Sequence, residues 1–206
     1  MRVLVACEES QTVCKAFREL GHEAYSCDIL PCSGGHPEWH IQADALQVYK
    51  IRWDLMIAHP PCTYLTSAGS VNLFDADHQV KDLERERKGW EAAFDFVRLL
   101  TTANADRVCV ENPAPMKYFQ LPKYDQIIEP YYFGDPWKKR TCLWLRGLPK
   151  LEPTNIVEPL GCWVSCAGRN TRTKLLGVKG TRSSRKRAVT FPGIARAMAE
   201  QWGRLG

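Results

Sequence analysis

Short apolar runs alternate with amphipathic stretches along most of this chain. Arg2–Ala6 reads as a strand buried on both faces, and the positions after it put Val13, Ala16, Phe17 and Leu20 on one side of a helix over residues 10–20, ended by Gly21. A second strand over residues 22–27 stops at Asp28, so the opening segment is strand, helix, strand with an acid at the second strand's tip. Residues 40–45 form a third turn of the same kind, and Trp53–Ala58 is another apolar strand, stopped by Pro60 and Pro61. Residues 63–77, rich in small and polar side chains (Ser67, Ala68, Gly69, Ser70, Asn72), read either as a surface loop or as a lid. A long helix is predicted over residues 78–102, charged on its outer turns and apolar along Trp90, Ala93, Phe94, Val97 and Leu100. Residues 107–110 then return as a strand, which a right-handed crossover sets beside Trp53–Ala58. A further strand follows Arg140, and a last helix covers residues 193–202. This order predicts an α/β fold with a doubly wound, mostly parallel sheet.

Composition narrows the picture. With 206 residues, 45% hydrophobic and 25% charged, the chain reads as one domain over residues 1–206. No stretch approaches the roughly 20 apolar residues of a membrane span. Glu8 and Glu9 follow the first apolar run too soon for a signal peptide, so a cytoplasmic location and no membrane partner are expected. Nine cysteines without a disulfide-like framework fit free thiols in a reducing compartment. The spacing of Cys27, Cys32, His36 and His40, or of Cys162 and Cys166, is open to zinc. Zinc knuckles use tighter cysteine pairs, however, and a strand tip and turn already explain the first group, so no metal is expected.

The net charge of +5 is unevenly spread. No acid lies between Glu158 and Glu200, whereas Arg169, Arg172, Lys174, Lys179, Arg182, Arg185, Lys186 and Arg187 all do. Such a run is either a solvated segment or a phosphate-contacting one; on the second reading Arg169, Arg172, Lys174, Arg182, Arg185 and Lys186 are the nucleic-acid contacts.

Two strand ends carry the candidate chemistry. Cys62 follows Pro60-Pro61 after one apolar strand, and Glu111 with Asn112 follows Val108-Cys109-Val110 on the neighbouring one. In an open α/β sheet such ends face one crevice, which here receives a thiol and a carboxylate. That pair suits covalent addition to an electron-poor ring that must also take a proton. Taken singly, Cys62 could be an inert small hydrophobe and Glu111 a surface acid; the two in order favour chemistry. Asp28, at its strand tip, is placed to accept hydrogen bonds from both hydroxyls of a ribose. Glu8 can either line the same pocket or complement the dipole of the helix that follows.

Pro60-Pro61-Cys62 together with Glu111-Asn112 resembles the cytosine carbon-5 methyltransferase family. The resemblance implies a Rossmann-like methyltransferase fold, S-adenosylmethionine as cofactor, and DNA, double- or single-stranded, as partner. By motif, Cys62 attacks carbon 6 of cytosine, while Glu111 binds the ring nitrogen and exocyclic amine so that carbon 5 takes the methyl group. The cofactor pocket falls on Ala6, Cys7, Glu8, Ser10, Asp28, Ile29, Asp44, Ala45 and Pro60, with Asp44 at the place of an acid near the adenine amine. Gly134, Pro136 and the cations after them resemble the family's arginine motif, which gives Arg140, with Lys139 close behind, contact to the cytosine carbonyl. Ala188-Val189-Thr190-Phe191-Pro192 resembles the last family motif loosely.

The chain also departs from the pattern. Cys7-Glu8-Glu9-Ser10 replaces a glycine-rich turn, Trp137 replaces a glutamine, and only a basic segment at about residues 148–187 stands where family members carry a target-recognition domain. The first expectation is therefore methylation of cytosine in DNA with little sequence recognition. A free nucleotide, RNA, a related transferred group, or a catalytically degenerate DNA-binding protein are the alternatives.

Overall fold

The computed structural model describes residues 1–163 and 183–205, with residues 184 and 185 described for their backbone alone. Its strands are β1 (Arg2–Ala6), β2 (Glu23–Asp28), β3 (His40–Gln42), β4 (Trp53–Ala58), β5 (Ala105–Asn112), β6 (Gln126–Ile128), β7 (Trp137–Lys138), β8 (Thr141–Arg146) and β9 (Gly161–Cys162). The helices are α1 (Thr12–Glu19), α2 (Ala45–Val48), α3 (Ser70–Leu73), α4 (Leu83–Thr102), α5 (Ser184–Ala188) and α6 (Pro192–Trp202).

Seven strands form one sheet in the order β3-β2-β1-β4-β5-β8-β6. Neighbours from β3 to β5 run parallel, and β8 is antiparallel to both β5 and β6. This is a Rossmann-like α/β sheet, as the alternating pattern predicts. The strands are apolar throughout because both sheet faces are covered. Val3, Val5, Leu55, Ile57 and Cys109 meet Val13 and Phe17 of α1 and Ile194, Met198 and Trp202 of α6. Leu4, Ala6, Met56, Ala58, Val108 and Val110 meet Ala93, Phe96 and Leu99 of α4. The alternation of β1 side chains between the two layers is the period-two signature of a strand.

Four expectations need correction. The long helix starts at Leu83, not at residue 78. Asp75 Oδ1 accepts the Asp77 and Gln79 amides in a tight turn, and Asp82 caps α4 by accepting the Arg85 amide at 2.9 Å. The buried face of α4 is Gly89, Ala93, Phe96 and Leu99, whereas Trp90 and Phe94 are 40% and 68% exposed. Gly89 turns inward because Phe119 packs onto it; a Cβ there would lie 2.1 Å from the phenyl ring. Leu20, expected in the core, is exposed at the end of α1. Residues 63–77 are pinned by buried Leu65 and Leu73 and by a bridge from Thr66 to Pro115. Cys7, Cys14, Cys27, Cys32, Cys62, Cys109 and Cys142 are free thiols, but Cys162 is disulfide-bonded, against expectation.

Candidate active site

β4 and β5 run parallel with Ala58 opposite Val110, so the residues just beyond them emerge at the same sheet edge. Pro60 and Pro61 cannot extend the ladder, and the chain turns at once: the Cys62 carbonyl accepts the Leu65 and Thr66 amides at 3.1 and 3.0 Å. Asn112 is fully buried and ties the two strand ends together by donating from Nδ2 to the Pro60 carbonyl at 3.3 Å. Because β8 is antiparallel, with Cys142 opposite Asn112, the residues before it also arrive at this edge.

Glu111 is nearly buried, and its Oε2 accepts a hydrogen bond from His59 Nδ1 at 3.3 Å; the two side chains are 12% and 9% exposed. Burial acts to raise the Glu111 pKa. The hydrogen bond and charge of His59, joined by Lys139, outweigh it and hold the carboxyl below its ordinary range. Cys62 is half-buried, and its thiol is pushed up by burial and then by the Glu111 charge, against the opposing charges of Lys139 and Arg187. Thiol, carboxylate and two cations therefore act on one another across one small region.

Of the two cations before β8, Lys139 is the one whose charge acts on both the thiol and the carboxylate. Its amide donates to Glu129 Oε2 at 2.8 Å, its Nζ donates to the Val189 carbonyl at 3.4 Å, and the same Nζ lies 5.9 Å from the Phe191 ring centre. Arg140 is exposed and acts on Glu129 and Cys142 instead.

The tips of β1, β2 and β3 form the second half of the edge. The half-buried Cys7 thiol is pushed up to about 12 by desolvation, followed by the charges of Asp28, Cys27 and Asp44, which places both acids around it. Asp28 Oδ1 accepts the Leu30 amide at 2.9 Å, which leaves Oδ2 without a partner among the described residues. Ile29 beside it is 70% exposed. A half-buried carboxylate with an open oxygen next to an uncovered apolar side chain fits the hydroxyls and flat base of an adenosine. Asp44 caps α2 by accepting the Leu46 amide at 2.8 Å, and Ala45 is buried behind it. Ser10 Oγ pairs with Thr12 Oγ1, Ala6 is fully buried, and Pro60 is half-buried.

Glu8 resolves its two readings toward the helix. It is buried, and its two oxygens accept the Val13 and Cys14 amides of α1 at 2.7 and 3.1 Å. Glu8→Ala is expected to leave both amides unpaired and to lower stability by about 1–3 kcal/mol, seen as a reduced urea midpoint at unchanged slope.

Two residues of this region escaped the motif reading. His59 stands inside the motif, next to Pro60, and its Nε2 is buried without a partner. Arg187, from α5, brings its charge to Cys62 and leaves its Nε buried and unpaired. Arg169, Arg172, Lys174 and Arg182 lie outside the described residues; Arg185 is described for its backbone only, and Lys186 is exposed. The four zinc-spaced side chains are engaged elsewhere: Cys32 with Gln11, Cys27 with the Ala43 carbonyl, His36 with Glu38, and His40 with Ser26 and the Leu30 carbonyl. Among the described residues no group of three or more His, Cys, Asp or Glu side chains is placed to hold a metal, and no helix is long and apolar enough to cross a membrane.

No family model and no curated protein sequence matches the chain. Several solved structures resemble its fold. An Escherichia coli prophage-encoded protein assigned as a DNA modification methyltransferase is 13% identical, with 70% of this chain and 46% of that one covered and a TM-score of 0.45. The Entamoeba histolytica methyltransferase EhMeth is 12% identical over 76% of this chain and 57% of its own, with a TM-score of 0.48. A triple mutant of Spodoptera frugiperda DNMT2 is 15% identical over 76% and 54%, with a TM-score of 0.39. The chain spans about half the length of these proteins.

Proposed function

We propose that the chain is an S-adenosylmethionine-dependent methyltransferase that acts on carbon 5 of cytosine in DNA through a covalent Cys62 adduct. The observation that carries this reading is the meeting of Cys62 and Glu111 at the ends of adjacent parallel strands, with Lys139 acting on both.

The cofactor would sit over the tips of β1 to β3, its ribose on Asp28 and its adenine against Ile29 and Asp44, and would supply a methyl group on a sulfonium. The target cytosine leaves the base stack or comes from a single strand, because the thiol must approach carbon 6 perpendicular to the ring. The Cys62 thiolate adds at carbon 6 while Glu111 gives a proton to the ring nitrogen and accepts from the exocyclic amine. Lys139 steadies the carbonyl oxygen, with Arg140 at the rim. Carbon 5, made electron-rich, takes the methyl group; loss of its proton to solvent and release of Cys62 restore the ring and the thiolate. Arg169, Arg172, Lys174, Arg182, Arg185 and Lys186 would hold phosphates.

The test is to incubate the protein with S-adenosylmethionine and cytosine-containing DNA, single- and double-stranded, and to count 5-methylcytosine by mass spectrometry. Calorimetry accompanies it. Asp28→Ala is expected to weaken cofactor binding about tenfold or more, since a charge-assisted hydrogen bond contributes about 1.5–3 kcal/mol. A wild-type protein that neither binds the cofactor nor methylates either DNA would sink the reading.

A further inference from the structure

The imidazole of His59 has no role in the scheme above, yet it is the group that touches Glu111. Its backbone is fixed on both sides: its amide donates to the Ala6 carbonyl at 2.9 Å, and Pro60 follows. Its side chain is 9% exposed, Nδ1 meets Glu111 Oε2 at 3.3 Å, and Nε2 has no partner. A buried histidine that serves packing alone satisfies both nitrogens; one left bare calls for a reason.

We propose that His59 is the positioning residue for Glu111: its Nδ1–H fixes Oε2, turns Oε1 toward the pyrimidine edge, and holds beside that carboxylate the proton that the ring nitrogen takes up. This rests on the proposed reading of the site. When the Cys62 sulfur bonds to carbon 6, the carbon 5–carbon 6 electron pair moves through the ring to the nitrogen, which takes a proton from Glu111. That proton reaches the carboxyl from the His59 imidazolium through Nδ1, so uptake by the ring leaves a carboxylate and a neutral imidazole. When Cys62 leaves, the ring nitrogen returns its proton through the carboxylate to His59, so the pair ends as it began.

The charges around the imidazole come from several elements. Glu111 lies on β5 and Glu8 follows β1, with both carboxylates feeling the His59 charge. Lys139 precedes β8 and opposes the charge of Glu111, while the Cys62, Cys109 and Cys142 thiols all feel that carboxylate. Glu8 has both oxygens committed to α1, whereas the hydrogen-bonding partner of Glu111 is His59. The pairing therefore bears on one acid of the two.

The test has an arm that needs no turnover. With only five histidines in the chain, nitrogen-15 spectra of the full-length protein can be assigned by substitution. Imidazoles in water favour the proton on Nε2; His59 in its neutral form is expected to carry it on Nδ1, and Glu111→Gln is expected to change that signature. In turnover, His59→Ala is expected to lower kcat about a hundredfold. His59→Asn, whose amide can still donate to Oε2, is expected to recover KM and part of kcat. In both variants the pH profile of kcat changes, because Glu111 loses the imidazole charge that helps hold its carboxyl down. An Nε2–H tautomer indifferent to Glu111→Gln, or variants that keep the wild-type pH profile, would overturn the proposal. If the wild type transfers no methyl group, the proposed function fails, while the spectra still decide whether His59 and Glu111 are paired.

Discussion

Cys62→Ala is expected to lower methyl transfer at least about a thousandfold, the scale on which loss of a nucleophile is felt, while cofactor binding stays within about twofold of wild type. The separation follows from the structure. Cys62 lies outside both core clusters and is half-buried, so removing its sulfur opens no deep cavity. The adenosine candidates Asp28, Ile29 and Asp44 sit on other strand tips. The measurement is 5-methylcytosine formed per enzyme, with calorimetry alongside. A second readout uses DNA carrying 5-fluorocytosine, where carbon 5 has no proton to lose and the adduct cannot resolve. The wild type should remain bonded to that DNA and Cys62→Ala should not. Methylation that survives the substitution would remove the covalent scheme and leave the sheet edge to another chemistry.

The strand ends were legible because parallel strands covered on both faces are written as uninterrupted apolar runs, and Pro60-Pro61 marks where one of them must stop. From there the right-handed crossover alone sets Glu111 beside the Cys62 strand. The helix register was less legible. Periodicity gives weight to large apolar residues, so it drew Trp90 and Phe94 inward, whereas the face that packs is the one where Gly89 lets Phe119 approach. No apolar signal marks a residue whose contribution is to be small. The start of α4 was hidden by the side chain of Asp75, which offers the backbone a turn in competition with the helix. At the site, a planar guanidinium favoured Arg140 over Lys139, whereas the charge that acts on both Cys62 and Glu111 is that of Lys139. His59 was visible in the motif, but its role depends on an approach to Glu111 from a strand 52 residues away.

Glu111→Gln is expected to lower turnover by about a hundredfold to ten-thousandfold, the usual range for losing a general acid, and at the same time to make Cys62 more reactive. The two effects have opposite signs because the carboxylate serves the ring and burdens the thiol. Burial is the larger cause of the raised Cys62 pKa, and the Glu111 charge adds to it. Glutamine removes that charge, so the thiolate forms at lower pH and alkylation of Cys62, followed by mass spectrometry of its peptide, should reach its midpoint earlier than in wild type. Burial still acts on Cys62 in the variant, and Lys139 and Arg187 still oppose it, so the shift isolates the contribution of one carboxylate. Glutamine also withholds the proton from the ring nitrogen, since a carboxamide has no acidic proton to give. The alkylation shift reads the charge of Glu111 on the thiol, and the loss of turnover reads its part as an acid; turnover that stayed at the wild-type level would leave Glu111 a structural carboxylate. A faster thiol on a slower enzyme is the pattern expected of an acid acting on the substrate beside its nucleophile.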